Sequence, residues 1–236
     1  MKLEILNALN AERAARRAAI VVTNQESGAQ RLVKAGDIRG DPLKDLLEKH
    51  LRSGKSGIED TAEGKVFLTV HVPSPKLVIT GAVHISQALA PIGQILGYDV
   101  TIVDPRTAFA SIERFPDVKV IAEWPDVALP PLGIDHYTAF VALTHDPKID
   151  DPGLAIALKS DCFYIGALGS RKTHARRVER LKAQGLTDAD LARIHAPIGV
   201  DIGAVSPAEI AVAIMAQITE RLRKSAEGRK TAEGLQ

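Results

Sequence analysis

The residues that could do chemistry in this chain are polar residues and glycines that follow short apolar runs. In FYIGALGSRK (163–172), an apolar run leads to Gly166 and Gly169, and then to Ser170 and Arg171. Glycines permit a tight turn with outward-pointing N–H groups, and the amino end of the following helix carries partial positive charge. We therefore predict that these four residues bind a phosphate or a similar oxyanion, with Arg171 as a bidentate donor.

The helix predicted after this turn is strongly basic, because His174, Arg176, Arg177 and Arg180 follow within ten residues. From Arg176 onward, a solvated charged face is the favoured interpretation, with Val178 and Leu181 facing inward. A basic helix of this kind could also dock an acidic protein surface, which would make the chain a partner-binding or ligand-sensing module.

A second turn lies in VITGAVHISQAL (78–89), where an apolar run ends at Gly81. A dinucleotide fingerprint has two further glycines, and Val83 and Ser86 stand at those positions. The Val83 side chain fills space through which a pyrophosphate approaches the backbone. Two interpretations stay open: a cofactor site that includes Gly81 and the donor candidate His84, or a strand–helix turn that binds nothing.

The stretch VDPRTAF (103–109) offers a carboxylate and a guanidinium. Asp104 follows Gly81 by roughly the spacing of the carboxylate that accepts a hydrogen bond from a ribose 2′-OH. Arg106 could instead hold a phosphate through its fork of donors. The alternative is an Asp-Pro turn in which the carboxylate of Asp104 caps local backbone N–H groups.

His145 and Asp146 follow the apolar run of ALTHDPKID (142–150). A His–Asp pair can transfer protons or contribute to a metal site, but no neighbouring residues supply further ligands, so no metal site is predicted. We expect the pair to position a bound ligand. A capped turn before Pro147 is the competing interpretation.

The elements that must position these residues alternate between strand and helix from Lys76 onward, which predicts a parallel sheet covered by helices on both faces. Ligands bind such sheets at the carboxyl ends of the strands. The predicted strands are 76–80, 98–104, 118–122, 139–143 and 162–168. The predicted helices are 84–96, one opening at Asp151–Pro152, 171–184, a short one at 187–190 and one beginning at Ser206–Pro207.

The first part of the chain does not alternate between strand and helix in this way. We predict a helix at 2–18, strands at 19–23, 31–33 and 65–72, and a helix after Asp41–Pro42. Two prolines in VPSP (72–75) end this pattern. We therefore predict a smaller N-terminal α+β domain at 1–73, a second domain at 74–224 and a disordered tail at 225–236.

Composition excludes several function classes. The 236 residues include 30 basic and 29 acidic side chains, so no overall field favours nucleic acid or an anionic membrane. Neither a signal peptide nor a membrane-spanning run is found in the sequence, and the single cysteine suits a reducing cytoplasm. The sequence predicts a cytoplasmic protein in which Cys162 is an inert core thiol.

Four blocks together resemble the xanthine dehydrogenase accessory factor family (XdhC/CoxI). The blocks are VITGAVHISQALAPIGQILGYDVTIVDPR, FVALTHDPKID, FYIGALGSRK and APIGVDIGAVSPAEIAVAI, in the family's order. The resemblance covers about 76–222 and implies a Rossmann-like domain that binds the molybdenum cofactor. It further implies cofactor maturation, delivery to a xanthine dehydrogenase-type molybdenum hydroxylase, a homodimer, and a cysteine desulfurase as a further partner.

The chain departs from the family pattern at the first turn, which reads Gly81-Ala82-Val83, and in the N-terminal stretches AGDIRGDPL and TAEGK, which hold no cysteine. We interpret the chain as a non-enzymatic cofactor chaperone, since the polar residues at the strand ends do not form a nucleophile–base–orienter trio. The alternative is an NAD(P)-dependent oxidoreductase or another nucleotide-binding protein, with Asp104 holding the ribose.

Overall fold

The structure is a computed structural model that describes residues 1–62 and 64–224. The predicted disordered tail at 225–236 lies outside the described residues. The chain divides into two compact units, one spanning Met1–Pro73 and the other beginning at Ser74. Within the described residues, no helix combines the length and apolar character that crossing a membrane requires.

The first unit is a four-stranded antiparallel sheet in the order β2-β1-β4-β3 with two helices. Its elements are α1 (Leu3–Ala14), β1 (Ala19–Asn24), β2 (Gln30–Lys34), a 3₁₀ segment (Ala35–Gly40), α2 (Lys44–Ser53), β3 (Gly57–Thr61) and β4 (Gly64–His71). Helix α1 ends earlier than the predicted residue 18, and Arg16 adopts a positive φ of 51° as the chain turns towards β1.

Strand β1 reads as a continuous apolar run because both of its faces are covered. Ile20 and Val22 pack with Leu47 of α2, whereas Ala19 and Val21 pack with Leu9 of α1. The predicted α+β class of this unit is confirmed.

The second unit holds six parallel strands in the order β10-β9-β8-β5-β6-β7. Its strands are β5 (Lys76–Thr80), β6 (Asp99–Val103), β7 (Lys119–Ile121), β8 (Thr138–Ala142), β9 (Tyr164–Ala167) and β10 (Ile194–His195). Its helices are α3 (His84–Ile95), α4 (Pro125–Leu132), α5 (Pro147–Lys159), α6 (Arg171–Ala183), α7 (Asp188–Leu191) and α8 (Pro207–Lys224). The chain runs from β5 to one sheet edge and then returns to β8, so the doubly wound order reverses between β5 and β8.

Alternate residues of the central strand β5 face two separate cores. Leu77 and Ile79 pack with Leu89 of α3 and Ile214 of α8, and Val78 packs with Leu154 of α5 on the other face. Helices therefore cover both faces of the sheet, which confirms the predicted Rossmann-like architecture.

Helix α5 begins four residues before the predicted Asp151–Pro152 start. The Asp146 carboxylate accepts a hydrogen bond from the Lys148 N–H at 2.9 Å, and Pro147 occupies the first helical position, where a missing N–H costs nothing. Pro152 consequently lies inside the helix. The capped turn before Pro147, which was the alternative interpretation, is the arrangement that forms.

Candidate functional site

The carboxyl ends of β5, β6, β8 and β9 bring four polar loops to one edge of the sheet. These loops hold nine of the ten predicted site residues: Gly81, His84, Asp104, Arg106, His145, Asp146, Gly169, Ser170 and Arg171. The order reversal between β5 and β8 falls in the middle of this edge, and such a switch point is where doubly wound sheets bind ligands.

The carboxylate of Asp104, at the end of β6, is fully buried and engaged by its own chain. One oxygen accepts the Ala82 N–H at 2.7 Å and the Arg106 Nη2 at 2.7 Å. The other accepts the Arg106 N–H at 3.0 Å and its Nε at 2.9 Å. The turn in which Asp104 caps local N–H groups is therefore present, and a ribose hydroxyl would have to compete with these donors.

The pairing of Asp104 fixes Arg106 as a cation at the sheet edge. Burial acts to raise the pKa of Asp104, but the Arg106 guanidinium and the two backbone N–H groups outweigh it and leave the pKa lowered. The same pairing raises the pKa of Arg106, whose side chain keeps 34% of its surface exposed and stacks 4.5 Å from the Phe109 ring centroid. Arg106 is thus ionised and held in place, with part of its surface open to a ligand.

The turn after β5 is packed against the loop after β8. Gly81 has a φ of +109°, and a Cβ atom at this position would lie 2.7 Å from Thr144 Cγ2. The Ser86 hydroxyl donates to the Gly81 carbonyl, and the Ala82 N–H is used by Asp104. The glycine is required for this loop-to-loop contact, while His84 lies exposed at the first residue of α3.

The loop after β8 is organised by a residue that the sequence did not single out, Asp150. Its buried carboxylate accepts the Thr144 N–H at 3.2 Å, the Thr144 hydroxyl at 2.7 Å and the His145 N–H at 3.1 Å. These bonds accompany a left-handed φ of +65° at His145. The His145 ring is exposed, and the Asp146 carboxylate caps the first turn of α5.

Gly166 was predicted to belong to the turn after β9, and this prediction is wrong. The residue lies inside β9, where a Cβ atom would meet the Ile198 side chain at 2.5 Å and the Tyr164 hydroxyl at 2.8 Å. Glycine is needed there because the segment after β10 crosses closely over the strand.

The turn itself consists of Gly169, Ser170 and Arg171. Gly169 has a φ of +129°, and the Ser170 hydroxyl caps α6 by accepting the Thr173 N–H at 3.2 Å. In the part of the chain that the structure describes, no hydrogen bond joins the N–H groups of these three turn residues to a protein acceptor. Arg171 is exposed at the first helical position. The N–H groups and the guanidinium are available to an anion.

Arg177 was predicted to lie on a solvated face, and this prediction is wrong. Its side chain is 2% exposed, Nη2 donates to the Leu168 carbonyl at 2.9 Å, and Nη2 lies 3.8 Å from the Asp150 carboxylate. Nε and Nη1 are buried, and neither has a hydrogen-bond partner among the residues that the structure describes. The spacing could have indicated burial, since Arg177 precedes the fully buried Leu181 by one helical turn.

Burial shifts the ionisation of both members of this pair. It lowers the pKa of Arg177 and raises the pKa of Asp150, while their mutual attraction and the hydrogen bonds to Asp150 act in the opposite directions. A buried polar group without a partner costs about 1–3 kcal/mol, and a charged one more. Burying Arg177 and Asp150 in this way therefore costs free energy when no ligand is bound.

A cavity of about 360 Å³ lies between the first turns of α5 and α6. We call it the α5–α6 cavity. Its walls are formed by His145, Pro147, Asp150, Asp151, Lys172, Thr173, Arg176, Arg177 and Arg180.

A second cavity, of about 450 Å³, lies away from the strand ends beside β10 and α8. Cys162 is in its wall, and burial raises the pKa of this thiol to about 11. The thiol donates to the Ala157 carbonyl at 3.2 Å. Burial and this hydrogen bond both favour the protonated thiol over the thiolate, which is the nucleophilic form. Among the described residues, no group of three or more His, Cys, Asp and Glu side chains is placed to hold a metal ion.

Comparison with known proteins gives one family and several relatives. Residues 77–218 match the family model described as the XdhC Rossmann domain. The chain is 29% identical over 175 residues to the uncharacterized protein YqeB of Escherichia coli, covering 72% of this chain and 32% of the relative. It is 29% identical over 162 residues to a probable subunit of xanthine dehydrogenase from Bacillus subtilis, covering 68% and 47%.

A third relative is the molybdenum cofactor insertion chaperone PaoD of Escherichia coli, 30% identical over 146 residues, which are 62% of this chain and 40% of PaoD. The chain thus spans less than half the length of each of these relatives. A crystal structure of a xanthine dehydrogenase from Bacillus halodurans superposes with a TM-score of 0.67 at 22% identity, covering 94% of this chain and 64% of that one. This likeness shows a shared fold.

Proposed function

The chain belongs to the XdhC family, and from that premise we propose that it binds the molybdenum cofactor and assists its insertion into a xanthine dehydrogenase-type molybdenum hydroxylase. The names of two relatives support this role: one is a probable subunit of xanthine dehydrogenase, and the other is a molybdenum cofactor insertion chaperone. Each matches this chain over about two thirds of its length or slightly less.

The observation that carries the proposal is the turn before α6. Its three N–H groups lack protein acceptors among the described residues, and Arg171 stands exposed beside them. The molybdenum cofactor is a pterin with a terminal phosphate, and a helix amino end with an adjacent guanidinium can bind phosphate. Gly169, Ser170 and Arg171 would hold this group.

Arg106 would contact another part of the same ligand. Strands β6 and β9 are separated by three strand spacings, or about 14 Å at the usual distance between neighbouring strands. A ligand that reaches both loops must be extended and must cross the loops after β5 and β8. Asp104 and Asp150 would position these loops, since their carboxylates are occupied by backbone N–H groups and by Thr144 and Arg106. The cofactor's chemistry would then take place in the client enzyme, with this chain binding and orienting the cofactor.

Purified protein tests the proposal directly. Protein produced in molybdenum-replete cells and purified without oxygen should release a fluorescent pterin on acid oxidation. Titration with NAD(H) and NADP(H) should show no binding tighter than about 1 mM. Pterin-free protein that instead binds a dinucleotide near 1 μM, the affinity range of many specific complexes, would favour the oxidoreductase alternative and contradict the proposal.

Replacing Arg171 with alanine should weaken cofactor retention by roughly 10- to 100-fold, the equivalent of one hydrogen bond to a charged group. The free energy of unfolding should change by less than about 0.5 kcal/mol because the side chain is exposed. Pterin content per protein after gel filtration measures the first effect, and denaturant unfolding measures the second.

The matched control is Lys182→Ala, which removes one exposed positive charge from the last turn of the same helix. It should retain pterin as the unmodified chain does. Equal retention by Arg171→Ala would remove Arg171 from the proposed site. The homodimer and the cysteine desulfurase partner stay predictions from the family resemblance.

A further inference from the structure

One wall residue of the α5–α6 cavity is Arg177, whose buried guanidinium is only partly hydrogen-bonded by the described residues. We propose that this cavity is a second oxyanion subsite, in which Lys172, Arg176 and the guanidinium of Arg177 in its wall bind a phosphate or phosphate monoester. The cavity's first wall residues on α6, Lys172 and Thr173, directly follow the turn at Gly169–Arg171.

The donors of Arg177 carry the inference. The side chain is 2% exposed and belongs to a residue of the cavity wall, and two of its three nitrogens are buried with no acceptor in the described part of the chain. Buried polar groups in native proteins are almost always paired, so an unpaired guanidinium indicates a partner that comes from outside the chain. The planar fork of Nε and a terminal nitrogen matches two oxygens of a phosphate.

Asp150 does not supply the missing acceptor. Its closest approach to the Arg177 guanidinium is 3.8 Å, which exceeds hydrogen-bond distance, and it approaches Nη2. Its two oxygens are held by Thr144 and the His145 N–H, so the carboxylate is fixed in place by the loop after β8. Asp150 therefore balances part of the charge on Arg177 and leaves the other donors of the guanidinium unfilled.

The remaining wall charges favour a dianion. Arg180 is paired through two nitrogens with Asp151, which cancels one positive and one negative charge. Lys172 and Arg176 are exposed at the same cavity and have no negative counterpart among its wall residues. The volume of about 360 Å³ greatly exceeds the roughly 30 Å³ share of one water molecule, so a phosphate with an attached organic group has room to enter.

This inference rests on the proposed function only for the identity of the attached group. A cofactor with a terminal phosphate would place that phosphate at one of the two subsites and another anionic group at the other. The oxyanion chemistry of the cavity itself does not depend on which ligand is carried.

The experiment measures binding of inorganic phosphate and of phenyl phosphate to the full chain by isothermal titration calorimetry. The double variant Lys172→Gln/Arg176→Gln changes exposed residues and should fold normally. We expect it to weaken both affinities at least tenfold. Arg177→Lys keeps the charge but removes the fork, and we expect a loss of roughly tenfold or more relative to the unmodified chain, as for the loss of a charged hydrogen bond.

The control is Lys159→Gln/Lys182→Gln, which removes two exposed charges from the same two helices outside the cavity. It should keep phosphate affinity within about twofold of the unmodified chain, a difference well below one hydrogen bond. The inference is overturned if the unmodified chain binds neither probe, if the control loses as much affinity as the cavity variant, or if Arg177→Lys folds and binds unchanged. If Arg177→Lys does not fold, the phosphate affinity of Lys172→Gln/Arg176→Gln is the test of the inference.

The two proposals can fail separately. Phosphate binding by a chain that never yields pterin would leave the cavity as an oxyanion site and remove the cofactor role. Pterin-loaded protein whose cavity variants bind both phosphate probes normally would retain the cofactor role and remove the subsite.

Discussion

Replacing Asp150 with alanine is expected to lower the free energy of unfolding by about 3–5 kcal/mol, the cost of removing one partner from a buried ion pair. The change removes the buried carboxylate that lies 3.8 Å from the Arg177 guanidinium. It also removes the acceptor for the Thr144 N–H, the Thr144 hydroxyl and the His145 N–H. The loop after β8 would lose the bonds that hold it.

Denaturant unfolding followed by tryptophan fluorescence measures this effect well. The chain has a single tryptophan, Trp124, which lies next to α4 and therefore reports on the second unit. Glu220→Ala is the control, because Glu220 pairs with Lys224 in an exposed i,i+4 bridge on α8. The control should cost less than about 0.5 kcal/mol. An Asp150→Ala chain that is as stable as this control would show that Arg177 does not need its carboxylate partner.

The sequence was sufficient to predict the architecture of the second unit, because most of its strands are short apolar runs and most of its helices have an apolar stripe. Leu77, Val78 and Ile79 are all buried, as expected for a central parallel strand covered on both faces. All the predicted site residues except Gly166 also lie at one edge of the sheet, since parallel strands carry their following loops to the same end.

Some elements lack such a pattern. Helix α4 begins at Pro125 and contains Pro130 and Pro131 in its last turn. It was not predicted, because prolines within a segment normally argue against a helix. Strand β10 has only two residues and forms because β9 offers an edge to pair with. The start of α5 depended on the Asp146 cap, which competed with an equally plausible Asp-Pro signal at Asp151–Pro152.

Partners distant in sequence explain the errors at the site. Gly166 resembles a turn glycine locally, but the contact that requires it comes from Ile198. Arg177 resembles a surface residue of a basic helix, and it is buried because Leu168 of the turn before α6 and Asp150 of α5 face it. The spacing from Leu181 could indicate that Arg177 is buried, but nothing local indicates its contact with Asp150, so the α5–α6 cavity could not be predicted from the sequence.

Replacing Gly81 with alanine is expected to lower the free energy of unfolding by about 2–5 kcal/mol, from two additive causes. The φ of +109° is unfavourable for any residue with a Cβ atom and adds about 1–2 kcal/mol. The new methyl group would also lie 2.7 Å from Thr144 Cγ2 and 3.2 Å from the Thr144 nitrogen, an overpacked contact that costs about 1–3 kcal/mol.

Gly97→Ala separates the two causes, because Gly97 has a φ of +82° and nothing within 4 Å of its added Cβ atom. It should cost about 1 kcal/mol from backbone conformation alone. The difference between the variants, measured by the same fluorescence-detected unfolding, is then the contact between the loops after β5 and β8. Equal losses for Gly81→Ala and Gly97→Ala would mean that the Thr144 loop moves aside freely. In that case the contact with the Thr144 loop would not explain why position 81 is a glycine. The remaining explanation would be that a side chain there would obstruct a bound ligand.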